Sequence, residues 1–368
     1  MNFRYKKITV KIGSNVLTKS DGTLNVSRIA HLVDQLAFLH KNGVEVVLVS
    51  SGAVAAGRAV LEPLKKTDAV SQRQLWAALG QVKLISRYSD FFSEHGLTCA
   101  QVLTTKESFS SRRHYLNMKN CFSTLLENRV IPIVNENDTI SVTELMFTDN
   151  DELSGLISSM VDSEALIILS NVKGVYDAPP GNENAALIEK VGIEENEPQN
   201  AISSEHSRFG RGGMLTKFRI AKKLANAGIA VHLASGFKED VLTQILQNEE
   251  TADHTYFVPS LKSSSGVKKW IAYSNGFTKS KVFINDGAAA ALLSEKAVSL
   301  LPVGIESIEN EFKKGDLIKI LDKSGKFIGL GKAQYGSDKL KEERDSKKQK
   351  ALVHYDYLYL ETTSVREI

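Results

Sequence analysis

Val10-Lys11-Ile12-Gly13-Ser14, Val46-Val47-Leu48-Val49-Ser50-Ser51-Gly52-Ala53 and Gly210-Arg211-Gly212-Gly213-Met214-Leu215-Thr216-Lys217 decide how this chain reads. The first two are apolar strand-type runs that end in small residues. The third is a glycine loop that opens a helix. Strands this apolar are buried on both faces, as in a parallel sheet covered by helices. Ligands of such sheets collect beyond the carboxyl ends of the strands, where small loops let backbone N–H groups approach an anion. Lys11 and Lys217 add two ammonium groups at such places, and together the segments suggest phosphoryl transfer. Neither standard nucleotide fingerprint is present. Gly13–Ser20 approaches a P-loop, but Thr18 stands where the second glycine belongs. After Gly329 and Gly331 the third glycine of a dinucleotide motif is replaced by Gln334.

Working outward, strands and helices alternate. Strands are expected at Ile8–Ile12, Glu45–Val49, Thr98–Leu103, Val130–Val134, Ala165–Leu169 and Ala230–Leu233. Helices are expected at Val26–Asn42, Ser71–His95, Tyr115–Asn128, Asn150–Val161, Thr216–Ala227 and Val241–Gln247. Ile29, Leu32, Val33, Leu36 and Leu39 give the first helix its period, and Gly43 stops it. The fold class is α/β, an open, mainly parallel sheet sandwiched by helices. The polar stretch from Leu261 to Lys269 reads as a linker. Beyond it, Lys281–Asn285 and Leu317–Leu321 read as strands, Ala288–Leu293 as a short helix and Lys339–Lys350 as a solvated, mixed-charge helix. The expected division is therefore 1–260 catalytic, 261–275 linker and 276–368 a small β-rich domain.

Hydrophobic content of 42% and charged content of 24% are those of a globular protein, and 368 residues suit two domains. The net charge of +3 gives no reason to expect strong binding to nucleic acid or membrane. Residues 276–368 hold 16 Lys and Arg against 14 Asp and Glu, too balanced for a dedicated RNA-binding tail. Met1–Lys7 does not read as a signal peptide, and no apolar run reaches membrane-spanning length. Cys99 and Cys121 lack metal or redox spacing and read as buried free thiols in the cytoplasm.

Two polar clusters remain. Asn135-Glu136-Asn137-Asp138 follows a strand, and Asp149-Asn150-Asp151 precedes a helix. Helix caps and turns favour the same residues. Their density at strand ends also supplies the carboxylates and amides that grip an amino acid's ammonium and carboxylate.

Lys11-Ile12-Gly13-Ser14, Ser50-Ser51-Gly52-Ala53-Val54-Ala55-Ala56-Gly57, the two polar clusters and Gly210–Lys217 resemble the motifs of the glutamate 5-kinase family of the amino-acid kinase superfamily, over nearly the whole chain. The tail, with Asn285-Asp286-Gly287-Ala288-Ala289 and Leu300–Gly304, is similar to a PUA domain. The resemblance implies ATP-dependent phosphorylation of the side-chain carboxylate of L-glutamate, the first step of proline synthesis. It implies that Lys11 and Lys217 contact the transferring phosphoryl group while Asp151 orients them. Ser51, Gly52, Asn135, Asp138 and Asn150 would bind glutamate. Gly13, Ser170, Asn171 and Arg211, Gly212, Gly213, Met214, Leu215, Thr216 and Lys217 would contact ATP. Mg²⁺ would arrive on ATP, with no protein side chain as its ligand. Ser170-Asn171 replaces the family's usual Thr-Asp, and Met146, Thr148 and Arg211 also depart from its pattern. The resemblance further implies a homo-oligomer, dimer or tetramer, inhibited by proline. An acyl-phosphate product hydrolyses readily, which suggests a glutamyl phosphate reductase as partner.

The chemistry suits these residues. A glutamate carboxylate, with an ordinary pKa of about 4.3, is already an anion at neutral pH. No general base is needed; the obstacle is anion against anion, which positioning and positive charge overcome. An RNA-binding accessory protein acting through the tail, and a sister kinase with another acceptor, are the alternative readings.

Overall fold

The structure is a computed structural model that describes residues 2–62, 67–110, 112–141, 150–178, 185–195, 213–247, 253–261, 271, 278, 280–294, 298–346 and 349–360. The chain divides into two compact units, one of Met1–Lys106 and Met118–Ser263, the other of Glu107–Asn117 and Ser264–Ile368.

The first 257 residues give, in order, β1 (Lys7–Ile12), α1 (Ser14–Leu17), α2 (Val26–Lys41), β2 (Glu45–Val49), α3 (Ala53–Arg58), α4 (Ala69–Glu94), β3 (Cys99–Thr104), α5 (Glu107–Ser110), α6 (Arg112–Glu127), β4 (Ile131–Glu136), α7 (Asn150–Met160), β5 (Ala165–Ser170), β6 (Lys190–Val191), α8 (Met214–Asn226), β7 (Ala230–Ser235), α9 (Val241–Gln247) and β8 (His254–Phe257). The strands form one sheet in the order β3-β4-β2-β1-β5-β7-β8-β6. From β3 to β7 every neighbouring pair is parallel. β8 then runs antiparallel to β7, with β6 parallel to β8.

The central strands are apolar because both faces are covered. Ile8, Val10, Ile12, Val46, Leu48, Ile167 and Leu169 are buried in one core with Ile29, Leu32, Val33, Leu36 and Leu39 of α2. Asn25 caps α2, its side chain accepting the Arg28 amide, and Gly43 follows its end in the left-handed region (φ 92°). α7 is buried almost throughout, Leu153–Met160 included, so its Ser154, Gly155, Ser158 and Ser159 are small for packing. Ser158 Oγ donates to the Ser154 carbonyl inside the helix.

β6 and β8 were not expected. β6 has two residues, and β8 (His-Thr-Tyr-Phe) carries no apolar run. Its His254 is buried because it meets His232 of β7 at 2.9 Å, and Tyr5 holds the other His232 nitrogen at 3.0 Å. Burial keeps His232 well below the usual imidazole pKa.

The cysteine expectation needs correction. Cys99 is half-buried and Cys121 is exposed, both as free thiols. Cys121 lies on the solvent side of α6, whose Phe122 and Leu126 turn inward. Cys99 sits on β3, the edge strand of the sheet.

The second unit holds a five-stranded sheet in the order β10-β9-β11-β12-β13. Its elements are β9 (Ser280–Ile284), α10 (Asp286–Leu292), β10 (Ile305–Glu309), β11 (Leu317–Leu321), β12 (Phe327–Lys332), α11 (Leu340–Asp345) and β13 (Leu358–Leu360). Val282, Ile284, Ile318, Ile320, Ile328, Leu352 and Val353 form its core. The expected helix over Lys339–Lys350 shrinks to α11, because Ser346 turns to extended backbone. Among the described residues no helix is long and apolar enough to cross a membrane.

Candidate active site

β1 ends the site's first layer. It lies between β2 and β5, so Lys11 sits opposite Val49 on one side and Ile168 on the other. Its side chain is 6% exposed. The backbone then turns at Gly13, whose N–H continues the sheet to the Leu169 carbonyl at 3.0 Å. An added Cβ there would lie 3.2 Å from that same oxygen. Lys217 is the fourth residue of α8, which begins after the extended Gly213.

The two lysines, 206 positions apart in the chain, meet at one carboxylate. Lys11 Nζ lies 2.5 Å from Asp151 Oδ1, and Lys217 Nζ lies 2.8 Å from Asp151 Oδ2. Asp151 is the second residue of α7 and is 1% exposed; Lys217 is 13% exposed. Burial opposes the charge on Asp151, but the two ammonium groups outweigh it and hold the carboxyl down to about 2. The first turn of an eleven-residue helix adds partial positive charge in the same sense. α1 and α3 have only four and six residues, so the partial positive charge at their N-termini is small.

Beside this cluster Asn150, the first residue of α7, ties three elements together. Its Nδ2 donates to the Ser50 carbonyl (2.7 Å), to Ser51 Oγ (3.1 Å) and to Asn135 Oδ1 (2.9 Å). The ends of β2 and β4 and the start of α7 are thus fixed in one junction. Gly52 follows with φ 93°, a conformation that strains any residue bearing a Cβ, and the chain enters α3. Ser50, part of the quoted motif, carries no individual role in the sequence reading. It is fully buried, with its hydroxyl 2.9 Å from that of Tyr88 on α4.

Asp138 lies three residues beyond Asn135. Among the described residues its partner is Arg73 of α4, which donates to Oδ1 from Nη2 at 2.6 Å and from Nε at 3.2 Å. Sequence reasoning missed Arg73, since an arginine in Ser71-Gln72-Arg73-Gln74 reads as any solvated helix residue. α4 also reaches the same loop through Gln74, which donates to the Thr139 carbonyl at 2.8 Å. Its register is set by contact with α3. A Cβ on Gly80 would fall 1.7 Å from the Ala53 carbonyl oxygen, and one on Gly57 would fall 1.8 Å from that of Trp76. The two backbones touch, which only glycine allows.

The remaining positions divide. Ser170 ends β5 next to Gly13, but its hydroxyl serves its own turn, bonding to the Val172 backbone at 3.1 and 3.2 Å. Asn171 is exposed. Gly213, Met214, Leu215 and Thr216 are half-buried at the start of α8. Arg211, Gly212, Met146, Thr148 and Asp149 lie outside the described residues. Among the described residues no three His, Cys, Asp or Glu side chains form a metal-binding group.

A mainly parallel sheet that brings two lysines onto one buried carboxylate near its strand ends points to the class. The model of the amino acid kinase family matches residues 6–235, and that of the PUA domain matches residues 280–354. The chain is 54% identical over 361 residues to glutamate 5-kinase of Bacteroides thetaiotaomicron, covering 98% of this chain and 100% of that one. It is 46% identical over 357 residues to glutamate 5-kinase of Chlorobaculum tepidum, covering 97% and 98%. A crystal structure of an isopentenyl phosphate kinase substrate complex, 16% identical, covers 69% of this chain and all of its own with a TM-score of 0.50, a likeness of fold alone. The chain belongs to the amino acid kinase family and, within it, to the glutamate 5-kinases.

Proposed function

We propose that this protein transfers the γ-phosphoryl group of ATP to the side-chain carboxylate of L-glutamate, giving L-glutamyl 5-phosphate, the first step of proline synthesis. The observation that carries the reading is the convergence of Lys11 and Lys217 on Asp151. A carboxylate oxygen of glutamate attacks the γ-phosphorus. The new O–P bond forms as the bond to the β,γ-bridging oxygen breaks, and ADP leaves with that electron pair. No proton moves, so the site needs positive charge and alignment rather than a base. Lys11 and Lys217 flank the transferring group, while Asp151 holds one ammonium with each oxygen and so fixes their spacing. Ser51, Gly52, Asn135, Asn150 and Asp138 hold glutamate. Gly13, Ser170, Asn171 and the segment from Arg211 to Lys217 hold ATP. A Mg²⁺ bound to ATP would supply further positive charge to offset the phosphates. Both Asp151 oxygens already face ammonium groups, so this carboxylate is not offered to a metal.

The same reading extends to a cytoplasmic homo-oligomer inhibited by proline, with a reductase that consumes the acyl phosphate. Its division is a catalytic region over 1–260, a linker over 261–275 and a tail over 276–368; the matched family limits support it. The test is ATP-dependent hydroxamate formation across a panel of amino acids and dicarboxylates. L-Glutamate should give the highest kcat/KM. A higher value for any other acceptor would overturn the assignment.

A further inference from the structure

An amino acid presents two charges at its far end, an ammonium and a carboxylate on one carbon. A lone aspartate would hold the first and repel the second. The site as read from sequence offers carboxylates to the ammonium and only neutral amides to the carboxylate, since Lys11 and Lys217 are engaged at Asp151. The structure supplies the missing cation. Arg73 meets Asp138 side-on, with two N–H groups on the single oxygen Oδ1. Oδ2 and the three other guanidinium N–H donors have no partner among the described residues. Asp138 is 8% exposed and Arg73 is 31% exposed, so the pair is partly open. Arginine–carboxylate pairs frequently engage both oxygens fork to fork. This one leaves an acceptor and a set of donors side by side.

We infer that Arg73 is a specificity-determining residue: it fixes Asp138 through Oδ1 and presents its remaining N–H groups to the α-carboxylate of the acceptor, while Asp138 Oδ2 receives the ammonium. The inference rests on the glutamate reading above and adds to it the residue that recognises the α-carboxylate. The contact at Gly57 and Gly80 packs α4, which carries Arg73, directly against α3, which follows Ser51 and Gly52.

Three acceptors separate the roles. L-Glutamate carries both charges, 4-aminobutyrate lacks the α-carboxylate, and glutarate lacks the ammonium. The full-length protein and its Arg73→Gln and Arg73→Lys variants are compared with each, by turnover or by competitive inhibition where turnover is too slow. For Arg73→Gln, kcat/KM for L-glutamate should fall roughly 10–100-fold, mostly through KM, as expected for a lost charged hydrogen bond. The ATP KM and the inhibition by 4-aminobutyrate should stay within a few-fold of the parent. Arg73→Lys, which keeps a charge for Asp138 but loses the planar fork, should fall between, and it carries the same comparison if the glutamine variant folds poorly. Equal losses with L-glutamate and 4-aminobutyrate would overturn the inference and leave Arg73 as a strut for Asp138. Parental kinetics with L-glutamate would overturn it too. A parent protein inactive on L-glutamate would instead overturn the glutamate reading, and this inference with it, before any variant is made.

Discussion

Removing the charge of Asp151 by Asp151→Asn tests the heart of the site. The substitution keeps the shape and leaves two ammonium groups, 6% and 13% exposed, without their shared counter-charge. Breaking a buried ion pair by deleting one partner costs about 3–5 kcal/mol. Lys217 sits early in its helix and can swing outward, so the low end, about 3 kcal/mol, is the working value. For a unit of this size that corresponds to a fall in Tm of roughly 6–12 °C. The loss should depend on pH. Asp151 titrates near 2 when folded against an ordinary 3.8, so the unfolded chain takes up the proton first. The ionised carboxylate therefore contributes stability above about pH 4, and this is lost as pH falls toward 2. Urea midpoints of parent and variant should differ at pH 7 and draw together as pH falls from 5 toward 2. Nucleotide phosphates bring the missing negative charge, so MgADP should raise the variant's Tm more than the parent's. Turnover should fall roughly 10²-fold, because the lysines lose their spacing. A variant with parental Tm in the absence of nucleotide, or a gap that does not close with acid, would refute the reasoning.

Gly80→Ala should destabilise by about 3 kcal/mol, because its methyl would meet the Ala53 carbonyl backbone and force α3 from α4; chemical denaturation reads this directly. Asp138→Ala should raise the KM for glutamate far more than that for ATP, and equal effects in steady-state kinetics would mark the residue as structural. Cys121 should alkylate with iodoacetamide well before Cys99, whose thiol burial pushes up in pKa; peptide mass spectrometry at pH 8 gives the order.

The parallel part of the sheet was legible because its strands are buried on both faces, so Val46–Val49 and Ala165–Leu169 read as unbroken apolar runs. The antiparallel margin was not. β8 is stabilised by pairing its polar His254 with His232, and a buried imidazole pair leaves no hydropathic trace. Lys11 and Lys217 stood out in sequence through the glycines beside them. Their meeting at Asp151 is a tertiary fact, fixed by β1 and by the buried helix α7, and no spacing encodes it. Arg73 was invisible for the opposite reason. It lies in a long amphipathic helix where an arginine is ordinary, and only the close approach of α3 and α4 carries it to Asp138. The thiols misled because Cys121 falls in an amphipathic stretch whose apolar side the sequence does not orient at that position.

The most direct test of the account is the turnover of Lys217→Ala with L-glutamate in a coupled ADP-release assay. If two ammonium groups around one carboxylate draw the phosphoryl group and its anionic acceptor together, the folded variant should lose roughly 10²–10³-fold in kcat, as when one preorganised donor is deleted elsewhere. Near-parental turnover would contradict it.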